Sequence, residues 1–157
     1  MRHIISTLVE NKFGVLARIA GLFSARGFNI DSLAVGETED PTTSRITIVV
    51  RGDDRTLDQV KKQLNKLIEV ITVRDLTNKG FIDRELLLFK VNVDADSKNK
   101  IAGYLEKQHA KVLYSTAKAV TVEFVGDREH VLKLLEGLKD YGVTDMVRTG
   151  RIALAKE

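Results

Sequence analysis

The sequence predicts an α+β protein made of two tandem β-α-β-β-α-β units. Three observations point there. Apolar residues switch between a period of two and a period near 3.6 in a fixed order, and that order occurs twice in 157 residues. The two copies also share a local echo: Val50-Arg51-Gly52-Asp53 and Phe124-Val125-Gly126-Asp127 each stand just ahead of a helical pattern.

In the first unit, His3 to Glu10 is β-branched and strand-like and ends in the polar pair Glu10-Asn11. From Leu16 the apolar residues Leu16, Ile19, Ala20 and Phe23 follow i, i+3, i+4, i+7, the stripe of an amphipathic helix, which Gly27 stops. Phe28 to Gly36 and Arg45 to Arg51 read as strands, joined by Glu39-Asp40-Pro41-Thr42, a turn built on the only proline. Asp53 or Asp54 caps a second helix striped by Leu57, Val60, Leu64 and Leu67, and Val70 to Leu76 closes the unit as a strand.

The second unit repeats the order. Leu86 to Val93 is a strand, and Asp96 or Ser97 caps a helix carrying Ile101 and Leu105. Val112 to Ser115 and Val120 to Val125 are strands. Asp127 opens a helix with Val131, Leu134 or Leu135, Leu138 and Tyr141 on one side, ended by Gly142. A last strand falls within Thr144 to Leu154. The expectation is therefore two ferredoxin-like domains, residues 1–77 and 83–157, joined where Asn78-Lys79-Gly80 signals a turn. Halves of about 75 to 80 residues bury only marginal cores. Val49 between Ile48 and Val50 gives the third strand apolar residues on both faces. Together these favour an oligomer, at least a dimer.

Composition narrows the function. Hydrophobic residues make up 43% of the chain, enough for a packed core. There is no cysteine, which excludes disulfides, thiolate metal sites and cysteine nucleophiles. The net charge of +3 is spread through mixed signs rather than a cationic block, which speaks against nucleic acid. A base-stacking version of this fold needs aromatics on its central strands, and Ile4 to Val9 and Arg45 to Val50 have none. No stretch is long enough to span a membrane, and the N-terminus turns polar too early for a signal peptide, so a cytoplasmic location is expected. His3, His109 and His130 lack partners at metal spacing, and nucleophile-elbow, Walker and dinucleotide motifs are missing. The expectation is no catalytic residue, no metal and no cofactor in this chain.

One segment does read as a site. Glu10-Asn11-Lys12-Phe13-Gly14-Val15-Leu16 joins the first strand to the first helix. Backbone amides from about Gly14 to Leu16 are the unsatisfied donors of a helix N-terminus, which with the helix dipole favour a carboxylate. Gly14 lets a ligand approach the backbone, and Asn11 offers both a donor and an acceptor, which suits a zwitterionic amino acid. The same residues also fit a plain glycine turn with an asparagine cap.

Asn11 to Leu16, with Arg18-Ile19, Gly21-Leu22-Phe23-Ser24 and Arg26-Gly27-Phe28-Asn29-Ile30, resembles an ACT domain, an amino-acid-sensing module. The runs Gly27 to Leu33, Asp40 to Thr47 and Lys62 to Leu67 are similar to those of the acetohydroxyacid (acetolactate) synthase small subunits. The resemblance covers residues 1 to 76 without a gap and thins to Arg84-Glu85-Leu86 afterwards. It implies a regulatory subunit that activates a separate catalytic large subunit and confers feedback inhibition by valine in branched-chain amino-acid synthesis. It also implies thiamine diphosphate, magnesium and FAD in that partner, and a homodimer through the ACT domains. The effector would sit at the seam, between Asn11, Gly14, Val15 and Leu16 of one chain and Asn29 and Ile30 of the other. A second reading, an ACT-type sensor for another enzyme or a transcription system, stays open, although no helix-turn-helix segment is visible.

Overall fold

The computed structural model describes residues 1–156, and Glu157, the last residue of the expected second domain, lies outside them. The chain divides into two compact units, Met1–Ile82 with the C-terminal stretch from Arg151, and Asp83–Gly150. Each is a sheet with two helices on it.

In the first unit, β1 (Arg2–Glu10), β2 (Ile30–Glu37), β3 (Thr43–Arg51) and β4 (Val70–Asp75) form an antiparallel sheet in the order β2-β3-β1-β4. Helices α1 (Val15–Ser24) and α2 (Asp54–Leu64) cover one face. Ile5, Val9, Ile46, Ile48 and Val50 from the strands meet Val15, Ile19 and Phe23 of α1 and Leu57, Val60 and Leu64 of α2. The buried stripe of α1 is thus Val15, Ile19, Phe23, spaced by four. Leu16, expected on that stripe, is 43% exposed. The helix ends in a turn that directs the chain into β2. Gly27 takes φ +67, the Gly27 amide donates to the Ser24 carbonyl (3.1 Å), and the Phe28 amide reaches back to the Phe23 carbonyl (3.1 Å). The rings of Phe23 and Phe28 then meet edge to face at 6.3 Å, the apolar contact that accompanies such a helix stop.

Asp53 is the cap of α2, accepting from the Thr56 amide at 2.7 Å. Asp127 does the same for α4 (Arg128–Gly137), accepting from the His130 amide at 2.9 Å. The repeated glycine before each cap has a steric reason. A Cβ on Gly52 would lie 2.6 Å from the Thr56 side chain, and one on Gly126 would lie 2.7 Å from the Phe124 ring.

The second unit orders its strands β6-β7-β5-β8, from β5 (Phe81–Asn92), β6 (Lys111–Ser115), β7 (Ala119–Gly126) and β8 (Val143–Arg148). Leu87, Phe89, Val91, Val120, Val122 and Phe124 pack on Ile101 and Leu105 of α3 (Lys98–Lys107) and on Val131 and Leu134 of α4. Neither Asp96 nor Ser97 caps α3 with its side chain; Asp94 instead accepts from the Asp96 and Ser97 amides just ahead of it. The helix opened by Asp127 stops at Gly137, and a 3-10 turn over Lys139–Tyr141 completes the run to Gly142.

The last segment departs from expectation. Two strands occupy it: β8, and β9 (Ile152–Ala155), which pairs with β5 and groups with the first unit rather than with residues 83–150. Ala153 and Ala155, with Leu76 and Phe81, pack on Ile4 and Val49. The chain's own tail therefore covers Val49, which is 1% exposed. The two-faced third strand is not by itself a reason for an oligomer.

Candidate functional site

The end of β1 passes into α1 through Asn11-Lys12-Phe13-Gly14. Gly14 takes φ +82 and ψ −6, a left-handed conformation that disfavours a side chain, and stands at the N-cap of α1. Helices α2 and α4 receive an aspartate cap, whereas α1 has no side-chain cap bond and no acidic residue in its first turn. The Arg18 amide is satisfied by the Gly14 carbonyl at 3.0 Å, and the Val15 amide has a long 3.4 Å bond to Lys12. The positive end of α1 is therefore presented through backbone alone. The Arg18 guanidinium, paired with Glu69, lies close by, 3.9 Å from where a Gly14 Cβ would be. Both features suit an anionic group.

Asn11 is more constrained than its exposure suggests. Its backbone amide donates to the Thr42 carbonyl (2.7 Å), and its side-chain nitrogen donates both to Glu37 Oε1 (3.0 Å) and to the Pro41 carbonyl (2.9 Å). The donor expected from Asn11 is thus engaged within the chain, and its carboxamide oxygen is what it can offer a ligand. The Val15 side chain is 4% exposed and belongs to the core, so only its amide faces the loop. Leu16 is half-exposed and Phe13 fully exposed.

Asn29 and Ile30 sit elsewhere. Ile30 pairs with Val50, while Glu37 pairs with Ser44, the same level as Val9. Asn29 and Ile30 are therefore at one end of the sheet and Asn11 at the other, about 25 Å apart along the strands. One chain does not bring the two groups together. Ile30 packs partly against the core. The Asn29 side chain donates to Asp31 Oδ1 (3.4 Å), and Asp31 Oδ2 accepts from Arg51 Nε (2.8 Å) and Arg2 Nε (2.7 Å). Those two guanidiniums, Arg51 first, hold the Asp31 carboxyl below the usual range.

Glu37, Pro41 and Asp31 were invisible as site residues in the sequence. Only the register that sets the β2–β3 hairpin beside the end of β1 brings Glu37 and Pro41 to Asn11. Asp31, two residues from Asn29, was in plain view but carried no sign of its arginines. Two of the three histidines are engaged within the chain: buried His3 donates from Nε2 to the Gly52 carbonyl (3.0 Å), and His130 pairs with Asp127. Among the described residues no group of three or more His, Cys, Asp or Glu could hold a metal. No described helix is long and apolar enough to cross a membrane.

Residues 5–72 match the model of the AHAS small subunit-like ACT domain, and residues 84–157 match that of the small subunit of acetolactate synthase. The chain belongs to the acetolactate synthase small-subunit family. Relatives match along nearly the whole of this chain. The probable acetolactate synthase small subunit of Methanothermobacter thermautotrophicus is 46% identical over 155 residues, covering 98% of this chain and 92% of that one. The acetolactate synthase small subunit of Mycobacterium bovis is 44% identical over 154 residues, covering 98% and 92%. In Arabidopsis thaliana the chloroplastic small subunit 2 is 42% identical, with 99% of this chain aligned to 32% of that longer protein. The crystal structure of the Thermotoga maritima small subunit superposes with a TM-score of 0.90 at 36% identity, covering 100% of this chain and 98% of that one. This small subunit thus has the family's fold, with the ACT domain in its first unit.

Proposed function

We propose that this chain is the valine sensor of acetolactate synthase: a cytoplasmic, non-catalytic subunit that activates a thiamine-diphosphate-dependent catalytic large subunit and lets valine reverse that activation. The observation that carries the reading is the bare N-terminus of α1 at Gly14, set in a first unit that belongs to the small-subunit ACT domains. The valine carboxylate is held by the amides of Val15 and Leu16 beside Arg18.

The site needs two chains. Strand β2 is an edge, and its Val35 is 46% exposed. If β2 pairs antiparallel with β2 of a second copy, the Ile30 end of one chain faces the Glu37 end of the other. Asn29 and Ile30 then come to the loop that Asn11 and Gly14 occupy. A two-fold axis makes this arrangement twice, giving two equivalent sites per dimer. Valine regulates by binding the inhibited arrangement more tightly than the active one.

Calorimetry and light scattering on one sample test this reading. The protein is expected to run at no less than twice its chain mass and to bind valine. Asn11→Ala should weaken valine by about 1.5 to 3 kcal/mol, the worth of a hydrogen bond to a charged group. A strict monomer, or valine affinity untouched by Asn11→Ala, would place the site elsewhere.

A further inference from the structure

We infer that Glu37 is a positioning residue that sets the polarity of this site, so that it takes a ligand with a free ammonium group and rejects the same acid without it. The inference rests on the amino-acid-binding reading above. A carboxamide has two donor hydrogens and one acceptor oxygen. Both hydrogens of Asn11 point at groups that can only accept, the Glu37 carboxylate at 3.0 Å and the Pro41 carbonyl at 2.9 Å. The amide nitrogen has to face them, and the oxygen is what remains.

Asn29 is biased the same way. Its nitrogen is drawn toward Asp31 Oδ1, and Asp31 stays ionised between Arg2 and Arg51. When β2 pairs with β2, two carboxamide oxygens come to one seam. Such oxygens suit the N–H groups of an ammonium, whereas a second carboxylate there would meet only lone pairs. The Glu37 charge adds attraction for the ammonium. Carboxylate recognition stays with the α1 amides, so the two ends of the amino acid are read by different parts of the site.

Titration of the full-length protein with valine, and with isovalerate by displacement of valine, tests this. Isovalerate keeps the carboxylate and the side chain and lacks the amino group. The wild-type chain is expected to prefer valine by on the order of a hundredfold, as loss of hydrogen bonds to a charged group implies. Glu37→Ala leaves the Pro41 carbonyl alone to hold the Asn11 nitrogen and removes the charge that draws the ammonium, so valine should weaken about tenfold while isovalerate changes less than about twofold. Glu37→Gln keeps an oxygen that accepts from Asn11 and should restore valine binding to within about threefold. Equal weakening of both ligands by Glu37→Ala would mean a merely structural role and overturn the inference. Unchanged valine affinity in Glu37→Ala would overturn it too. A wild-type protein that binds no valine removes the effector reading itself; one that binds valine with a preference indifferent to Glu37 removes only this inference.

Discussion

Gly14→Asp should leave a folded chain that no longer binds valine. The new carboxylate would project from the N-cap of α1, where the amides now stand uncapped, and would compete with the ligand carboxylate for them. Two like charges about 4 Å apart at an effective dielectric near 20 repel by roughly 4 kcal/mol, and partial exposure lowers this to about 3. Valine affinity should therefore fall by a factor of about a hundred or more. Backbone strain enters separately. Gly14 has φ +82, and a non-glycine residue held there costs on the order of 1 kcal/mol, less for aspartate than for most. Space is not the obstacle, since an added Cβ would meet only Arg18 at 3.9 Å. Gly14→Ala carries the strain without the charge and should lose far less valine affinity. If both variants bind valine alike in calorimetry, the carboxylate does not sit on this helix terminus.

Arg148→Ala should destabilise the second unit by about 3 kcal/mol. Glu85 on β5 is 5% exposed, and its carboxylate accepts a two-pronged pair from Arg148 of β8, Nε at 2.8 Å and a terminal nitrogen at 2.7 Å. Removing the arginine leaves an almost buried carboxylate with its principal partner gone. The figure is at the low end for a buried pair because the Arg148 side chain is 45% exposed. Replacing both residues, Glu85→Leu with Arg148→Met, should recover most of the loss, since neither charge is then stranded. All three tyrosines, Tyr104, Tyr114 and Tyr141, lie in the second unit, so tyrosine fluorescence during urea unfolding reports on that unit selectively. A single variant as stable as the wild type would mean that water replaces the guanidinium without penalty.

The parts legible in the sequence were those set by local chemistry. Asp127 was readable as a cap because an aspartate between a strand and an apolar stripe suits a helix N-terminus, the pair Asp53-Asp54 was readable as holding a cap without showing which of the two, and Gly27 was readable as a helix stop. Periodicity was less exact about α1, where the stripe runs from Val15 and not from Leu16. The destination of the C-terminal strand was not legible. Alternation in Ile152–Ala155 tells which side chains share a face, but not which unit that face covers. The local features of the loop at Asn11 and Gly14 fit a plain glycine turn with an asparagine cap as well as a carboxylate site, and the family resemblance singled it out. Its wiring to Glu37 and Pro41 was not legible, because it depends on strand register across residues 26 and 30 positions apart.

The most direct test of regulation is an acetolactate assay of the purified chain with and without its cognate catalytic subunit. With thiamine diphosphate, magnesium, FAD and pyruvate but no partner, the chain is expected to form no acetolactate. Added to the catalytic subunit it should raise the rate, and millimolar valine should then remove much of the gain. A chain that leaves the partner's rate unchanged, or an activated pair indifferent to valine, would contradict the account.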